Sequence, residues 1–302
     1  MSIVEDAKKG IITEEMKAVA AQEGVTEDFI RRGIASGQIV IPVSPYRKVK
    51  LCGIGGGLKT KVNCSVGTST DIVDVDMEVQ KVKAGERAGA DTIMELSTGG
   101  DFVEVRRRCI EATTLSVGSV PLYQAFIEAA RKDGAVIHMR EDDLFRITEE
   151  QARLGTNFMA IHTGVNRITL DRLQRQGRHG GLCSRGGAFL TAWMLHNDKE
   201  NPLYAEFDYL CEILKEHEVT LSTGNGMRAG AVHDATDRAQ IQELIINAEL
   251  GDRAHDKGIQ VIVEGPGHVP LDQIETNVRL MKRMSNNKPF YMLGPIVTDI
   301  AP

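Results

Sequence analysis

The chain has 302 residues, 42% of them hydrophobic and 26% charged, with a formal net charge of −6. That composition describes a globular protein with a sizeable core, and a pI near 5.8 leaves no electrostatic footprint for nucleic acid. No apolar run reaches the ~18 residues of a membrane span, and the N-terminus lacks the basic-then-apolar pattern of a leader peptide.

Residues 11–36 read as two short helices, with Thr13 and Thr26 as N-caps ahead of acidic first turns. "IVIPVSP" runs extended into the glycine-rich "GIGGGLKT". That stretch misses both nucleotide-binding glycine patterns and precedes the first strand, so it reads as a tight loop. Strands and helices then alternate. Strands are expected at 60–66 ("TKVNCSV"), 91–96 ("DTIMEL"), 115–123 ("LSVGSVPLY") and 157–164 ("NFMAIHTG"). Four more follow at 181–187 ("GLCSRGG", short and weak by itself), 219–226 ("VTLSTGNG"), 261–270 ("VIVEGPGHVP") and 289–297 ("PFYMLGPIV"). Helical patterns occupy 74–89, 101–113, 122–132, 139–155, 203–217 and 237–258. The five cysteines are widely spaced with no CxxC pair, which suits reduced thiols, mostly small core residues, in a cytoplasmic protein.

Eight apolar strands alternating with amphipathic helices argue for an α/β fold with a parallel, helix-covered sheet. Eight such units close most economically as a (β/α)8 TIM-type barrel, with an open doubly wound sheet as the alternative. The expected organisation is an N-terminal helical arm over 1–50 and the barrel over 51–302, ending just after its eighth strand and lacking the last helix.

Catalytic groups of parallel barrels gather at the carboxyl ends of strands. Those ends carry Ser65, Met94 with Glu95, Tyr123, His162, Ser184 and Arg185, Asn225 and Arg228, Glu264 with His268, and Tyr291. A carboxylate inside "VIVE" must be paired or hydrogen-bonded to be buried. His268, past two glycines, suits a metal ligand, although one histidine cannot hold zinc by itself. "SRGGAF" opens a helix whose N–H groups and dipole favour an anion, and Arg185 could add a charge-assisted bond to phosphate. Plainer readings compete: His162 as a satisfied core residue, Met94 as packing, Tyr123 as a loop cap, and "SRGG" as a helix start with a surface arginine. Arg106–Arg108 reads as a solvated helix face. His138, His179, His196, His217, His233 and His255 lack ligand spacing.

Taken in order, "LKTKVN", "GADTIMELSTGGD", "VGSVPLYQA", "IHTGV", "SRGG", "VEGPGHVP" and "LGPIVTDIAP" resemble the phosphomethylpyrimidine synthase family of thiamine biosynthesis, over nearly the whole chain. The resemblance implies a radical S-adenosylmethionine enzyme on a (β/α)8 barrel. Such an enzyme rearranges 5-aminoimidazole ribonucleotide with a [4Fe-4S] cluster and a zinc or similar divalent site. It implies substrate contacts at Met94, Tyr123, His162, Ser184, Arg185, Gly186, Arg228, Glu264 and Tyr291, and one of two metal histidines at His268. Glu264 and His162 are the candidate catalytic residues. Ser65 in "NCSVGTS" and Asn225 in "GNGMRAG" stand where the thiamine enzymes carry a contacting asparagine and an aspartate. With the long "NRITLDRLQRQGRHG", these two departures resemble the anaerobic paralogues, 5-hydroxybenzimidazole synthases, which make the lower-ligand base of cobamides. That activity is therefore the first expectation, and thiamine pyrimidine synthesis the alternative.

The family pattern further implies a homodimer with a small-molecule substrate and neither nucleic acid nor membrane as partner. The cluster's cysteines and the second metal histidine are expected beyond Pro302. The chain then reads as part of a longer enzyme, able to bind ribonucleotide but not to cleave S-adenosylmethionine. Two readings from other classes are a non-catalytic phosphate-ligand-binding barrel and a zinc-dependent aldolase or hydrolase with His162 and His268 as ligands.

Overall fold

The computed structural model describes residues 2–265 and 267–294. It opens with three helices, α1 (Ile3–Lys8), α2 (Glu14–Glu23) and α3 (Glu27–Ala35). Thr13 and Thr26 cap α2 and α3 as their sequence predicts, accepting from Met16 N at 3.5 Å and Phe29 N at 3.2 Å. Helix α1 is additional to the sequence reading; Ser2 and Glu5 close a reciprocal capping box over it. The three helices bury Ile3, Val4, Met16, Val19, Ile30 and Ile34 in a small core of their own. The short strands β1 (Ile39–Val40) and β2 (Ile54–Gly55) pair antiparallel beside it.

The main unit then follows in chain order: β3 (Asn63–Val66), α4 (Val75–Arg87), β4 (Thr92–Glu95), α5 (Phe102–Glu111), β5 (Ser116–Ser119), α6 (Pro121–Asp133), α7 (Glu141–Arg153) and β6 (Phe158–Ile161). Its second half comprises α8 (Arg167–Gln176), α9 (Arg185–Asn197), α10 (Pro202–Ala205), α11 (Phe207–Glu216), β7 (Thr220–Thr223), α12 (Arg238–Asp256), β8 (Val261–Glu264), α13 (Leu271–Met284) and β9 (Phe290–Tyr291). Strands β3 to β9 form one parallel sheet in sequence order. The sheet curls until its outer strands face each other, where Asn63 Nδ2 on β3 donates to the Tyr291 hydroxyl on β9 at 2.8 Å. The strands from β4 to β8 are buried on both faces, the helices supplying Leu190, Trp193, Phe207 and Leu214 as cover.

An eight-stranded barrel is not what these residues form. The segment expected as a fifth strand, 181–187, adds nothing to the sheet. Strand β6 pairs directly with β7, from Phe158↔Thr220 to Ile161↔Thr223, and Leu182 makes only an isolated antiparallel bridge to Ala229. "GLCSRGG" places one strong apolar residue among three glycines, too little side chain to pack a strand face, and it yields at Ser184 to α9. The last expected strand is reduced to β9, and residues 295–297 of it lie outside the described residues. The fold is a curled α/β half-barrel of seven parallel strands.

The arm is fixed beneath that sheet. Ser2 Oγ donates to Gly258 O at 2.7 Å and Lys8 Nζ to His255 O at 2.9 Å. The Gln260 side chain pairs with both Ile41 N (2.6 Å) and Ile41 O (2.8 Å). Residues 255–260 lead directly into β8, so the arm covers the amino ends of the strands and leaves their carboxyl ends open. Among the described residues no helix is long and apolar enough to cross a membrane.

The Arg106–Arg108 run departs from the solvated face expected of it. Arg107 and Arg108 do pair at the surface, with Glu104, Glu111 and Asp76. Arg106 instead is buried, its Nε 3.0 Å from Glu95 Oε2 and its Nη1 donating to Gln124 Oε1 at 3.0 Å. Glu95 also accepts from Ser97 N at 2.7 Å, which fixes the start of the "STGGD" loop. A charge run is solvated only where the helix surface is, and α5 turns one side of itself onto β4 and β5.

Candidate active site

At the carboxyl ends of the strands the curled sheet encloses a cavity of about 160 Å3. Ser65, Met94, Tyr123, His162, Ser184, Arg185, Arg228, Glu264 and Tyr291 all line it, together with Cys183 and apolar neighbours such as Leu96 and Leu293. Four further residues singled out from the sequence, Glu95, Gly186, Asn225 and His268, are absent from this lining. Met94 and Tyr291 also line a second cavity of about 190 Å3 beneath the first.

His162 follows β6 directly and is buried. Burial, reinforced by the charge of Arg228, pushes its imidazole down to about 3, so the ring is neutral at physiological pH. Its Nε2 is 3.3 Å from Ser184 Oγ, and its Nδ1 is buried without a hydrogen-bond partner in the protein. Ser184 caps α9, accepting from Gly187 N at 3.1 Å. Gly186 lets that helix start lie against the ring: a Cβ there would stand 2.4–2.7 Å from three imidazole atoms. A Cβ on Gly187 would stand 1.9 Å from Gly226 O. Gly186 is thus a surface for His162. The Arg185 guanidinium stacks over the Tyr123 ring at 4.7 Å and donates to Thr98 Oγ1 at 3.3 Å. Burial raises the Tyr123 hydroxyl above its ordinary range, with Arg185 opposing.

Glu264 ends β8 inside the apolar run that made it conspicuous. Burial raises its carboxyl above the ordinary range, against the Arg228 charge and the Asn225 N–H, which donates to Oε2 at 2.8 Å. Arg228 comes from the loop after β7, and its Nε is buried without a protein partner. Asn225 lies in that loop and both its side-chain polar atoms are engaged: Nδ2 donates to Glu243 at 2.7 Å and Oδ1 accepts from Gly267 N at 3.0 Å. The position that distinguished this chain from its thiamine-enzyme pattern is a tie between two loops.

Glu243 on α12 was not identified from the sequence. Burial pushes its carboxyl up to about 7, with three N–H donors opposing and the Glu264 charge adding to the rise. Its signal was the spacing of Gln240, Glu243 and Asn247, which places three polar residues on one side of a long helix that packs on β8.

His268 sits at φ 56°, and its N donates to Gly294 O at 3.1 Å. It belongs to no group of three or more potential metal ligands; none exists among the described residues. Among the described residues the expected zinc therefore has no ligand set, and the aldolase or hydrolase reading, which paired His268 with His162, finds no group of ligands there.

A curled parallel sheet whose strand ends converge on one polar pocket defines an α/β enzyme architecture. The chain belongs to the Radical SAM ThiC family, whose pattern matches residues 2–302. It is 97% identical to a phosphomethylpyrimidine synthase of Methanospirillum hungatei JF-1 over 302 residues, all of this chain and 71% of that protein. It is 78% identical, with the same coverage, to the phosphomethylpyrimidine synthase of Methanoculleus marisnigri. Among solved structures it is similar to a 3-dehydroquinate dehydratase from Geobacillus kaustophilus at 12% identity and a TM-score of 0.45, over 84% of this chain and 79% of that one.

These relatives overturn the benzimidazole expectation. Proteins sharing nearly the whole sequence bear the name of a pyrimidine synthase, which was the alternative. The long 166–180 segment that supported the benzimidazole reading is structural: it forms α8, and Arg178 beyond it makes a buried ion pair with Asp237 at the start of α12, at 2.7 Å. The partner expectation is corrected with it. The relatives' names specify a phosphomethylpyrimidine product, and they do not show a homodimer.

Family membership implies S-adenosylmethionine and an iron–sulfur cluster. The described residues do not fit a cluster. Cys52, Cys64, Cys109, Cys183 and Cys211 are free thiols, and none belongs to a group of metal ligands. Burial pushes Cys52 and Cys211 up to about 11 and Cys109 up to about 12, away from the thiolate form that binds iron.

Proposed function

We propose that the carboxyl-end cavity binds 5-aminoimidazole ribonucleotide for its rearrangement to phosphomethylpyrimidine, the product in the relatives' names. The observation that carries this reading is the convergence on one pocket of two arginines, a helix N-terminus, a neutral histidine and a buried carboxyl. The start of α9, with Ser184 and Arg185, is suited to the phosphate. Arg228 has a buried donor available for the sugar or base, and Tyr123 and Tyr291 supply ring faces with hydroxyls. Glu264, which holds its proton more tightly than an ordinary carboxyl, suits a group that gives a proton and then retrieves it. The family's radical chemistry needs groups that the described residues do not hold; their part is to bind, orient and exclude water. The division into an arm over 1–50 and a catalytic unit from 51 onward belongs to the same proposal.

Calorimetry with the ribonucleotide and with its dephosphorylated nucleoside tests the pocket. The ribonucleotide should bind more tightly, and Arg185→Ala should remove most of the difference. Equal binding of both by the unaltered chain would refute the phosphate assignment. Mass analysis of the product from anaerobically reconstituted enzyme tests the reaction, and a benzimidazole product would overturn it.

A further inference from the structure

Glu243 lies outside the cavity and is fully buried on α12. Its two oxygens accept three N–H groups from the loop after β7: Asn225 Nδ2 at 2.7 Å, Gly226 N at 2.7 Å and Met227 N at 2.9 Å. From Asn225 the bonding continues to the neighbouring strand, through its N to Glu264 Oε2 and through its Oδ1 from Gly267 N. Glu243 and Asn225 together thus join the loop that carries Arg228 to the turn that begins at Glu264. The same side of α12 holds the loop after β6 as well, since Asn247 donates to Gly224 O at 3.1 Å and accepts from Thr163 Oγ1 at 3.4 Å. The packing admits little slack: a Cβ on Gly164 would stand 2.7 Å from Glu243 Cγ. A carboxylate offers acceptors at both positions, whereas glutamine would set an NH2 against an N–H whichever way it turned.

We propose that Glu243 is a positioning residue for the ribonucleotide site, the acceptor that holds the Arg228 loop and, through Asn225, the Glu264 turn at the cavity without touching the ligand. This rests on the reading of the cavity given above. A side chain that merely stabilised α12 would change the melting temperature and leave the geometry of a neighbouring strand's turn alone. A latch couples the two loops.

Hydrogen exchange on the unaltered chain is the first test. The amides of Gly226, Met227 and Gly267 should exchange at one common rate, and Asn225→Ala, which removes the acceptor of Gly267 N together with the side-chain donor to Glu243, should accelerate Gly267 about tenfold. Independent rates in the unaltered chain, or a Gly267 amide indifferent to Asn225→Ala, would overturn the latch. Ribonucleotide titration is the second. Glu243→Gln should weaken binding about tenfold, and adding Asn225→Asp, which restores opposite donor and acceptor between the two side chains, should recover part of the loss. Unchanged affinity in the single variant, or no recovery in the double, would overturn the positioning role. Failure of the unaltered chain to bind ribonucleotide would count against the cavity reading, and the exchange data would still judge the latch.

Discussion

The Ser184 hydroxyl stands 3.3 Å from Nε2 of His162 while it accepts the Gly187 N–H that caps α9. A Ser184 O–H directed to Nε2 places the imidazole proton on Nδ1, the buried atom without a protein partner. His162 should be a neutral Nδ1–H tautomer throughout pH 5 to 8, because burial holds its pKa at about 3. Nitrogen-15 spectra of the labelled chain would report it. A titration of His162 within that range, or an Nε2–H tautomer, would refute the assignment.

The start of α9 predicts an order of damage. Gly186→Ala pushes a methyl into the His162 ring, which can tilt, whereas Gly187→Ala meets the backbone oxygen of Gly226. Overpacking of this kind costs ~1–3 kcal/mol, and the backbone clash belongs at the upper end. Urea denaturation should therefore rank Gly187→Ala as the more destabilising, while Gly186→Ala should weaken ribonucleotide binding at near-native stability. The reverse ranking would show that the helix start moves more readily than the ring.

The stack of Arg185 on Tyr123 separates planar from point charge. Tyr123→Phe keeps the ring and should leave phosphate-dependent affinity within about threefold, since a stack on an exposed cation contributes only ~0.5–1 kcal/mol. Arg185→Lys keeps the charge and loses both the stack and the forked donors, and should weaken ribonucleotide binding more than Tyr123→Phe does. Equal effects of the two in calorimetry would argue that charge alone matters there.

Much of this arrangement could be read from the chain. Thr13 and Thr26 announced their helices because capping is local, and six of the expected strands stand out because β-branched runs between glycines have few other uses. "GLCSRGG" misled because the rhythm of the neighbouring units suggested a strand that its own three glycines could not support. Arg106 could not be told from Arg107 and Arg108, since which side of α5 meets β4 is decided by tertiary packing. The strand-end residues were accessible because a parallel sheet fixes where they emerge. The choice of product was not accessible: it was drawn from Ser65, the 166–180 segment and Asn225, whose side chain faces Glu243 and Gly267, and sequence comparison of a position does not reveal which way its side chain points.

Acid stability follows from two buried histidines. His162 and His255 are held at about 3 and about 4 by burial, below the 6.5 of an unfolded chain, so their contribution is present above pH 6.5 and lost as pH falls toward those values. A variant comparison isolates each. His255→Gln, which can still donate to Ile34 O, should lose ~1–3 kcal/mol less than the unaltered chain between pH 6.5 and 4. Parallel curves in urea titrations would show that His255 takes up its proton without cost.

The buried pair of Arg106 and Glu95 should behave as a unit. Removing one partner leaves an uncompensated charge and costs ~3–5 kcal/mol, whereas Arg106→Leu combined with Glu95→Leu should be milder than the sum of the single variants. Additive losses in chemical denaturation would mean that the two charges do not depend on each other.

The bonds that seat the arm join residues 256, 247 and 219 positions apart. During synthesis the arm leaves the ribosome well ahead of α12 and can coil and bury its own small core, yet its berth does not exist until the end of α12 has been made. The growing half-barrel consequently waits with an open base, and docking the arm requires a large loop closure, a slow kind of contact to form.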